Sequence, residues 1–155
     1  MTSLPVNAQT ARARRAPVQL ASLVFGIVFL VVGVLGFIPG ATTNYDALLF
    51  AGSGSGALLI GVFQVSILHN IVHLLFGIAG VLFARTFMGA RNFLIWGGVV
   101  YFVLWLYGLF TAGGTTPANF VPLNNADNWL HLVLAIAMVA LGFLLGRRDA
   151  TTTSR

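Results

Sequence analysis

All three histidines of the chain lie in one short pattern that occurs twice. The first copy, His69–Leu74, reads HNIVHL, and the second, Asp127–Leu132, reads DNWLHL. Residues four apart share one face of a helix, so His69 lies one turn from His73 and Asp127 lies one turn from His131. Imidazole and carboxylate groups at this spacing can ligate a metal, relay a proton or form hydrogen bonds between helices.

The segments that carry this pattern are apolar enough to lie in a membrane. Of 155 residues, 58% are hydrophobic and only 7% are charged, with a mean hydropathy of +0.94, whereas soluble domains have about 25% charged residues. Four apolar segments approach the ~20 residues that a helix needs to cross a bilayer; they span about 18–38, 66–85, 93–112 and 128–146. Because they show no alternation of period two, they favour helices over a barrel. The sequence predicts an all-α, four-helix transmembrane bundle.

The arginines predict the orientation of this bundle. The chain has no lysine and no glutamate, and its eight arginines all fall on one side if there are four spans. The positive-inside rule then places both termini in the cytoplasm of a multi-pass plasma-membrane protein. The formal net charge of +5 is explained by arginines that flank the spans, so we expect contact with the lipid bilayer and no nucleic-acid partner. A protein partner or a second copy of the chain is not readable from the sequence.

Composition also predicts the organisation of the chain. We expect disordered cytoplasmic tails at 1–16 and 150–155 around one membrane domain at 17–149, with 57–64 as a short interfacial segment on the outer side. Asn125 or Asp127 is the predicted N-cap of the last helix. The absence of cysteine excludes disulfides, thiolate metal sites, iron–sulfur clusters and covalently attached haem.

The two copies of the pattern belong to a longer internal similarity. A shift of 58 residues aligns 69–82 with 127–140 and gives six identities in fourteen positions. The paired asparagines and histidines carry most weight, because polar residues inside spans are scarce and usually face the bundle interior. We interpret the chain as two hairpins in a parallel repeat. This arrangement would bring the polar residues together near the outer leaflet as one polar cluster, comprising His69, Asn70, His73, Asp127, Asn128 and His131.

Several functions are open for the polar cluster. The first hypothesis is structural: the side chains hydrogen-bond across helices and need no ligand, which gives a non-enzymatic structural or accessory membrane component. The second is a site for a divalent transition metal on His69, His73, Asp127 and His131. The third is a b-type haem held by His73 and His131, with a redox role. A proton relay or polar-solute site using His69 and Asp127 is the fourth. Intramembrane hydrolysis is disfavoured because the candidate nucleophiles Ser53 and Ser55 lie in a flexible connection.

The third apolar segment is rich in aromatic residues. Their rings could stack on a cofactor or a lipid tail, but we interpret them first as rings that fill space between glycine-rich helices. The residues concerned are Trp96, Tyr101, Phe102, Trp105, Tyr107 and Phe110.

Two stretches around the repeated pattern also resemble a known family. They are Gly61–Gly77, GVFQVSILHNIVHLLFG, and Asn119–Leu132, NFVPLNNADNWLHL. In these stretches, and over roughly 18–146, the chain resembles an actinobacterial family of small four-span membrane proteins that is catalogued as a domain of unknown function. The resemblance implies a four-helix protein of the plasma membrane and no particular activity.

Overall fold

The computed structural model describes residues 15–147, which form a mostly helical protein. Its four α-helices are α1 (Pro17–Leu35), α2 (Ile67–Phe83), α3 (Phe87–Thr111) and α4 (Asn125–Leu144). Helices α1, α3 and α4 are long and apolar enough to cross a membrane, whereas α2 is apolar but has 17 residues. The predicted tail at 150–155 and most of the predicted tail at 1–16 lie outside the described residues.

The ends of the helices are set by capping groups that hydropathy alone does not reveal. Helix α3 begins six residues before the predicted start at 93, because the Thr86 side chain accepts a hydrogen bond from the Gly89 N–H at 3.1 Å. Helix α4 is capped by Asn124, so the prediction of Asn125 or Asp127 as its N-cap was wrong. Asn124 accepts the Asp127 N–H at 3.0 Å, and the Asp127 carboxylate accepts the Asn124 N–H at 3.0 Å, which forms a capping box.

The connection between α1 and α2 contains a small antiparallel sheet that the all-α prediction did not include. Strands β1 (Thr42–Thr43), β2 (Leu58–Leu59) and β3 (Phe63–Gln64) pair in the order β1-β2-β3, and a 3-10 turn covers Tyr45–Ala47. Strands of two residues are too short to produce a recognisable alternation in the sequence. The sheet packs on α1 through a small apolar core of Ala57, Leu59 and Val65, with Val32 and Leu35 against it.

The helices form two antiparallel hairpins, α1 with α2 and α3 with α4. The close contacts between the helices occur at equivalent positions in the two hairpins. A Cβ atom on Gly26 would lie 2.7 Å from the Val81 nitrogen and 3.0 Å from the Gly77 oxygen. A Cβ atom on Gly98 would lie 3.0 Å from the Val139 nitrogen and 2.9 Å from the Ala135 oxygen. Gly26 and Gly98 are 72 residues apart, and both pairs of partners are 58 apart. Glycine lets the helix backbones touch in both hairpins, as in membrane helix pairs.

The arginines that the structure describes lie at one end of the molecule. The Gln19 amide donates a hydrogen bond to the Ala84 carbonyl at 3.1 Å, so α1 begins where α2 ends. The Arg91 side chain packs beside Gly146, so α3 begins where α4 ends. The four described arginines flank these positions; they are Arg15, Arg85, Arg91 and Arg147. The histidines lie in the first two turns of α2 and α4, at the opposite end of the molecule.

Candidate functional site

The three histidines converge at the end of the molecule that carries the sheet. The rings of His69 and His73 stack at a centroid distance of 4.7 Å, and the rings of His69 and His131 meet edge to face at 6.5 Å. His69 and His131 are buried, with 4% and 5% of their surface exposed. The structure therefore brings the imidazoles of α2 and α4 into one group.

An aromatic pair joins this group of histidines at the centre of the molecule. The rings of Phe29 in α1 and Tyr101 in α3 stack at 5.3 Å with an interplanar angle of 7°. Phe29 lies 6.0 Å from the His73 ring, and Tyr101 lies 5.2 Å from the His131 ring. Phe29 and Tyr101 are 72 residues apart, like Gly26 and Gly98. Each hairpin thus contributes an equivalent aromatic ring against an equivalent imidazole.

The two asparagines of the polar cluster serve contacts within the hairpins. A Cβ atom on Gly36 would lie 2.1 Å from the Asn70 Oδ1, and one on Gly108 would lie 2.0 Å from the Asn128 Oδ1. Each buried amide therefore occupies the space beside a glycine of the neighbouring helix. Neither Oδ1 has a hydrogen-bond partner among residues 15–147.

Asp127 is the member of the polar cluster with the most complete hydrogen bonding. Its Oδ2 accepts the N–H of Gln64 at 2.9 Å as well as that of Asn124 at 3.0 Å. The Asn124 amide in turn donates to the Val62 carbonyl at 2.7 Å. These bonds attach the sheet to the start of α4. Asp127 occupies the position that His69 has in α2, where the Ser66 side chain caps the helix by accepting the His69 N–H at 3.1 Å.

The histidine rings are less completely hydrogen-bonded than the Asp127 carboxylate. The His73 Nδ1 lies 3.1 Å from the His69 carbonyl oxygen. The Nδ1 atoms of His69 and His131 have no hydrogen-bond partner within the described part of the chain. Leaving a buried polar atom unpaired costs about 1–3 kcal/mol, so two such atoms in one group call for an explanation.

The predicted metal ligands do not form a ready coordination group. Among residues 15–147, no group of three or more His, Cys, Asp and Glu side chains is arranged to hold a metal ion. Asp127 uses its carboxylate on two backbone N–H groups instead.

Two cavities flank the histidines. The larger one, about 400 Å³, lies between α2 and α3 beneath residues 120–123, and the smaller one, about 190 Å³, lies between α1 and α4 beneath β2 and β3. All three histidines line both cavities. Five lining residues of the larger cavity have a counterpart in the smaller one at a shift of 58 or 72 residues. The pairs are His69 with Asp127, Val72 with Leu130, His73 with His131, Leu104 with Val32 and Tyr107 with Leu35.

The larger cavity contains residues that the sequence patterns did not single out. Leu104, Phe120, Val121 and Leu123 line it, and Phe29 lies against the His73 that lines it. Tyr101 and Tyr107 also line it, although the aromatic run of α3 was interpreted as filling space. Other members of that run point outward, since Trp96 is 66% and Phe110 is 88% exposed. A comparison of α1 with α3 at a shift of 72 would have aligned Gly26, Phe29 and Gly36 with Gly98, Tyr101 and Gly108.

Comparison with known proteins identifies the family of this chain. Neither the comparison with curated proteins nor that with solved structures found a match. A family model described as a domain of unknown function (DUF4383) matches residues 19–144, which include the polar cluster, all of α2, α3 and α4, and α1 except its first two residues. The predicted resemblance to a domain of unknown function is thereby confirmed, and the chain belongs to the DUF4383 family.

Proposed function

We propose that this chain is a four-span protein of a bacterial plasma membrane, a non-enzymatic accessory component that binds a small lipid-soluble molecule beside its histidines. Three helices of sufficient length and hydropathy support the membrane assignment. Helix α2, with 17 residues, extends about 25 Å at 1.5 Å per residue. That length is slightly below the ~30 Å hydrocarbon thickness, a difference that local thinning of the bilayer can accommodate.

Both termini are proposed to be cytoplasmic, with the histidines near the outer leaflet. The support is the common position of Arg15, Arg85, Arg91 and Arg147 at the end opposite the histidines. Arginines next to spans favour the cytoplasmic side.

The binding role is carried by one observation: the buried, unpaired Nδ1 atoms of His69 and His131 belong to side chains that line an apolar cavity of about 400 Å³. Cavities of about 300–1,000 Å³ with a few polar groups are typical of small-molecule sites. A purely structural role explains Asp127, which has two backbone partners. It does not explain the unpaired Nδ1 atoms of His69 and His131.

A pair of substitutions at corresponding positions tests the binding role. Leu104→Trp fills the larger cavity and Val32→Trp fills its smaller counterpart. We expect native mass spectrometry of the wild-type protein, purified in mild detergent, to detect one co-purified small molecule per chain. Occupancy should fall at least about tenfold in Leu104→Trp, as for a ligand excluded by volume, and should stay near wild type in Val32→Trp.

Both variants must first elute as folded protein with wild-type helix content. A wild-type protein free of any bound molecule, or equal losses in the two variants, would contradict the proposed binding role.

A b-type haem on His73 and His131 is a second candidate, favoured by one contact. The His73 Nδ1 bonds to the His69 carbonyl, which leaves Nε2 as the free donor atom, as in many metal-ligating histidines. A Soret band from the same purified sample would assign the cavity to haem, and a colourless sample with a bound organic molecule would exclude it.

A further inference from the structure

We infer that the larger cavity binds the head group of a lipid-soluble quinone, an inference that rests on the proposed ligand-binding function. A quinone head group is planar and uncharged, carries two carbonyl acceptors and continues into an apolar tail. Each of these properties matches a feature of the cavity.

The lining of the larger cavity favours an uncharged ligand. Apart from its histidines and tyrosines the lining is apolar, and no arginine, aspartate or glutamate contributes to it among residues 15–147. An ionised ligand such as a fatty-acid carboxylate would therefore be buried without a counter-charge, which is strongly unfavourable. The neighbouring Asp127 carboxylate faces the smaller cavity and would repel an anion.

The histidines supply hydrogen-bond donors for carbonyl oxygens. A neutral imidazole carries one N–H donor and one acceptor nitrogen. The Nδ1 atoms of His69 and His131 are unpaired within the described residues, and the two rings are 6.5 Å apart. A ligand carbonyl beside His131 would accept a hydrogen bond from its Nδ1 in the N–H tautomer, and the His69 ring, which also hydrogen-bonds with the backbone of Gln64 and Pro122, borders the same cavity.

Aromatic side chains favour a planar head group. Tyr101, Tyr107 and Phe120 line the same cavity as the histidines. Rings of this kind pack on a planar conjugated ligand in stacked or edge-to-face contacts that are worth about 0.5–1.5 kcal/mol each.

The opening of the cavity fits a molecule that arrives from the bilayer. Val72 of α2 and Val100 and Val103 of α3 line the cavity and are 41%, 45% and 56% exposed. The gap between α2 and α3 thus opens on the apolar outer surface of the helices. A prenyl tail can leave through this gap into lipid while the head group stays beside the histidines.

The smaller cavity is lined by the same three histidines, but it lacks the volume and the tyrosines that would hold the same ligand. It also carries Asp127, the counterpart of His69, whose carboxylate is held by the backbone of Gln64 and Asn124. Leu35 stands in place of Tyr107, and the volume is about 190 Å³. We therefore infer one quinone per chain, in the α2–α3 cavity.

The test is a titration of ligand-free protein in detergent with a naphthoquinone that carries two prenyl units. We expect binding at one quinone per chain, with an infrared carbonyl band displaced to lower frequency than in hydrocarbon solvent because of hydrogen bonding. His69→Leu and His131→Leu should each weaken binding about threefold to tenfold, the usual effect of one hydrogen bond. Leu104→Trp should weaken it by more than about tenfold, Val32→Trp should leave it within about twofold, and palmitate should not compete.

Absence of quinone binding, or binding that Leu104→Trp does not weaken, would overturn the inference. If the histidine variants do not fold, the infrared band of the wild-type complex decides, because an undisplaced carbonyl band is incompatible with imidazole donors. A wild-type protein that carries another molecule in a Leu104-dependent manner but ignores the quinone would refute the quinone and leave the proposed function standing. If the protein binds neither the quinone nor any other molecule, the quinone inference and the proposed function are both refuted.

Discussion

Replacing Gly26 by leucine is expected to lower the free energy of unfolding by about 3 kcal/mol, the upper end of the range for overpacked sites. A Cβ atom at this position would lie 2.7 Å from the Val81 nitrogen and 2.9 Å from the Gly80 carbonyl carbon. These are backbone atoms of α2, which cannot turn away as a side chain would, so the α1–α2 hairpin must separate. Gly98→Leu should have a similar effect on the α3–α4 hairpin, because Ala135 and Val139 lie in the equivalent positions.

Unfolding of the detergent-solubilised protein in a denaturing detergent measures this effect. Val24→Leu is the matched control: Val24 lies on the same helix, two residues away, and is 57% exposed. Its substitution should change the unfolding free energy by less than about 0.5 kcal/mol, as is usual on exposed surfaces. A Gly26→Leu protein as stable as Val24→Leu would show that α1 and α2 do not pack backbone to backbone.

Single cysteines introduced at the two ends of the molecule are expected to differ completely in their reaction with a maleimide added outside the cell. Those at the histidine end should react, and the one at the arginine end should not. The chain has no cysteine, so each introduced thiol is the only one. Thr43→Cys and Thr115→Cys lie in exposed connections at the histidine end, and Met88→Cys lies between Arg85 and Arg91 at the arginine end. A membrane-impermeant maleimide added to intact cells should react with the first two and not with the third, because arginines stay in the cytoplasm.

Opening the cells provides the control for the labelling experiment. Met88→Cys should then react as fully as the other two variants, which shows that its thiol is accessible. Labelling of Met88→Cys in intact cells would reverse the proposed orientation. Reaction of only one of the two histidine-end positions would contradict the four-span topology.

Hydropathy predicted the helical character of this protein. The apolar segments became helices, since burial in an apolar medium requires backbone groups to be paired within each segment. The pairing of His73 with His131 was predicted from a shift of 58 residues, and the two side chains line the same cavities. The first comes from the composition of each segment, and the second from the similarity of two segments 58 residues apart.

The features that were missed leave no signal in hydropathy. Thr86 and Asn124 fix the starts of α3 and α4 through local capping hydrogen bonds. The small sheet has strands of two residues, which leave no pattern. Asn70 and Asn128 were expected beside the histidines, but each fills the space at a glycine on the neighbouring helix. That role becomes visible only when Gly36 and Gly108 are known to lie opposite.

The two cavities show how an approximate repeat can acquire different roles. Five pairs of lining residues correspond, and in one of these pairs Asp127 is the counterpart of His69. A carboxylate at the start of a helix accepts backbone N–H groups well, and Asp127 does so from Gln64 and Asn124. In the same place of α2, the His69 ring has an Nδ1 atom without a partner among residues 15–147. The difference of one residue type separates a structural attachment from a candidate binding site.

The most direct test is nitrogen NMR of the protein labelled with ¹⁵N-histidine, before and after its bound molecule is extracted. We expect the Nδ1 resonances of His69 and His131 to move on extraction, because these atoms have no other partner within the described chain. The His73 Nδ1, which bonds to the His69 carbonyl, should keep its resonance. Unchanged resonances of His69 and His131, or a change confined to His73, would contradict a ligand held by these two imidazoles.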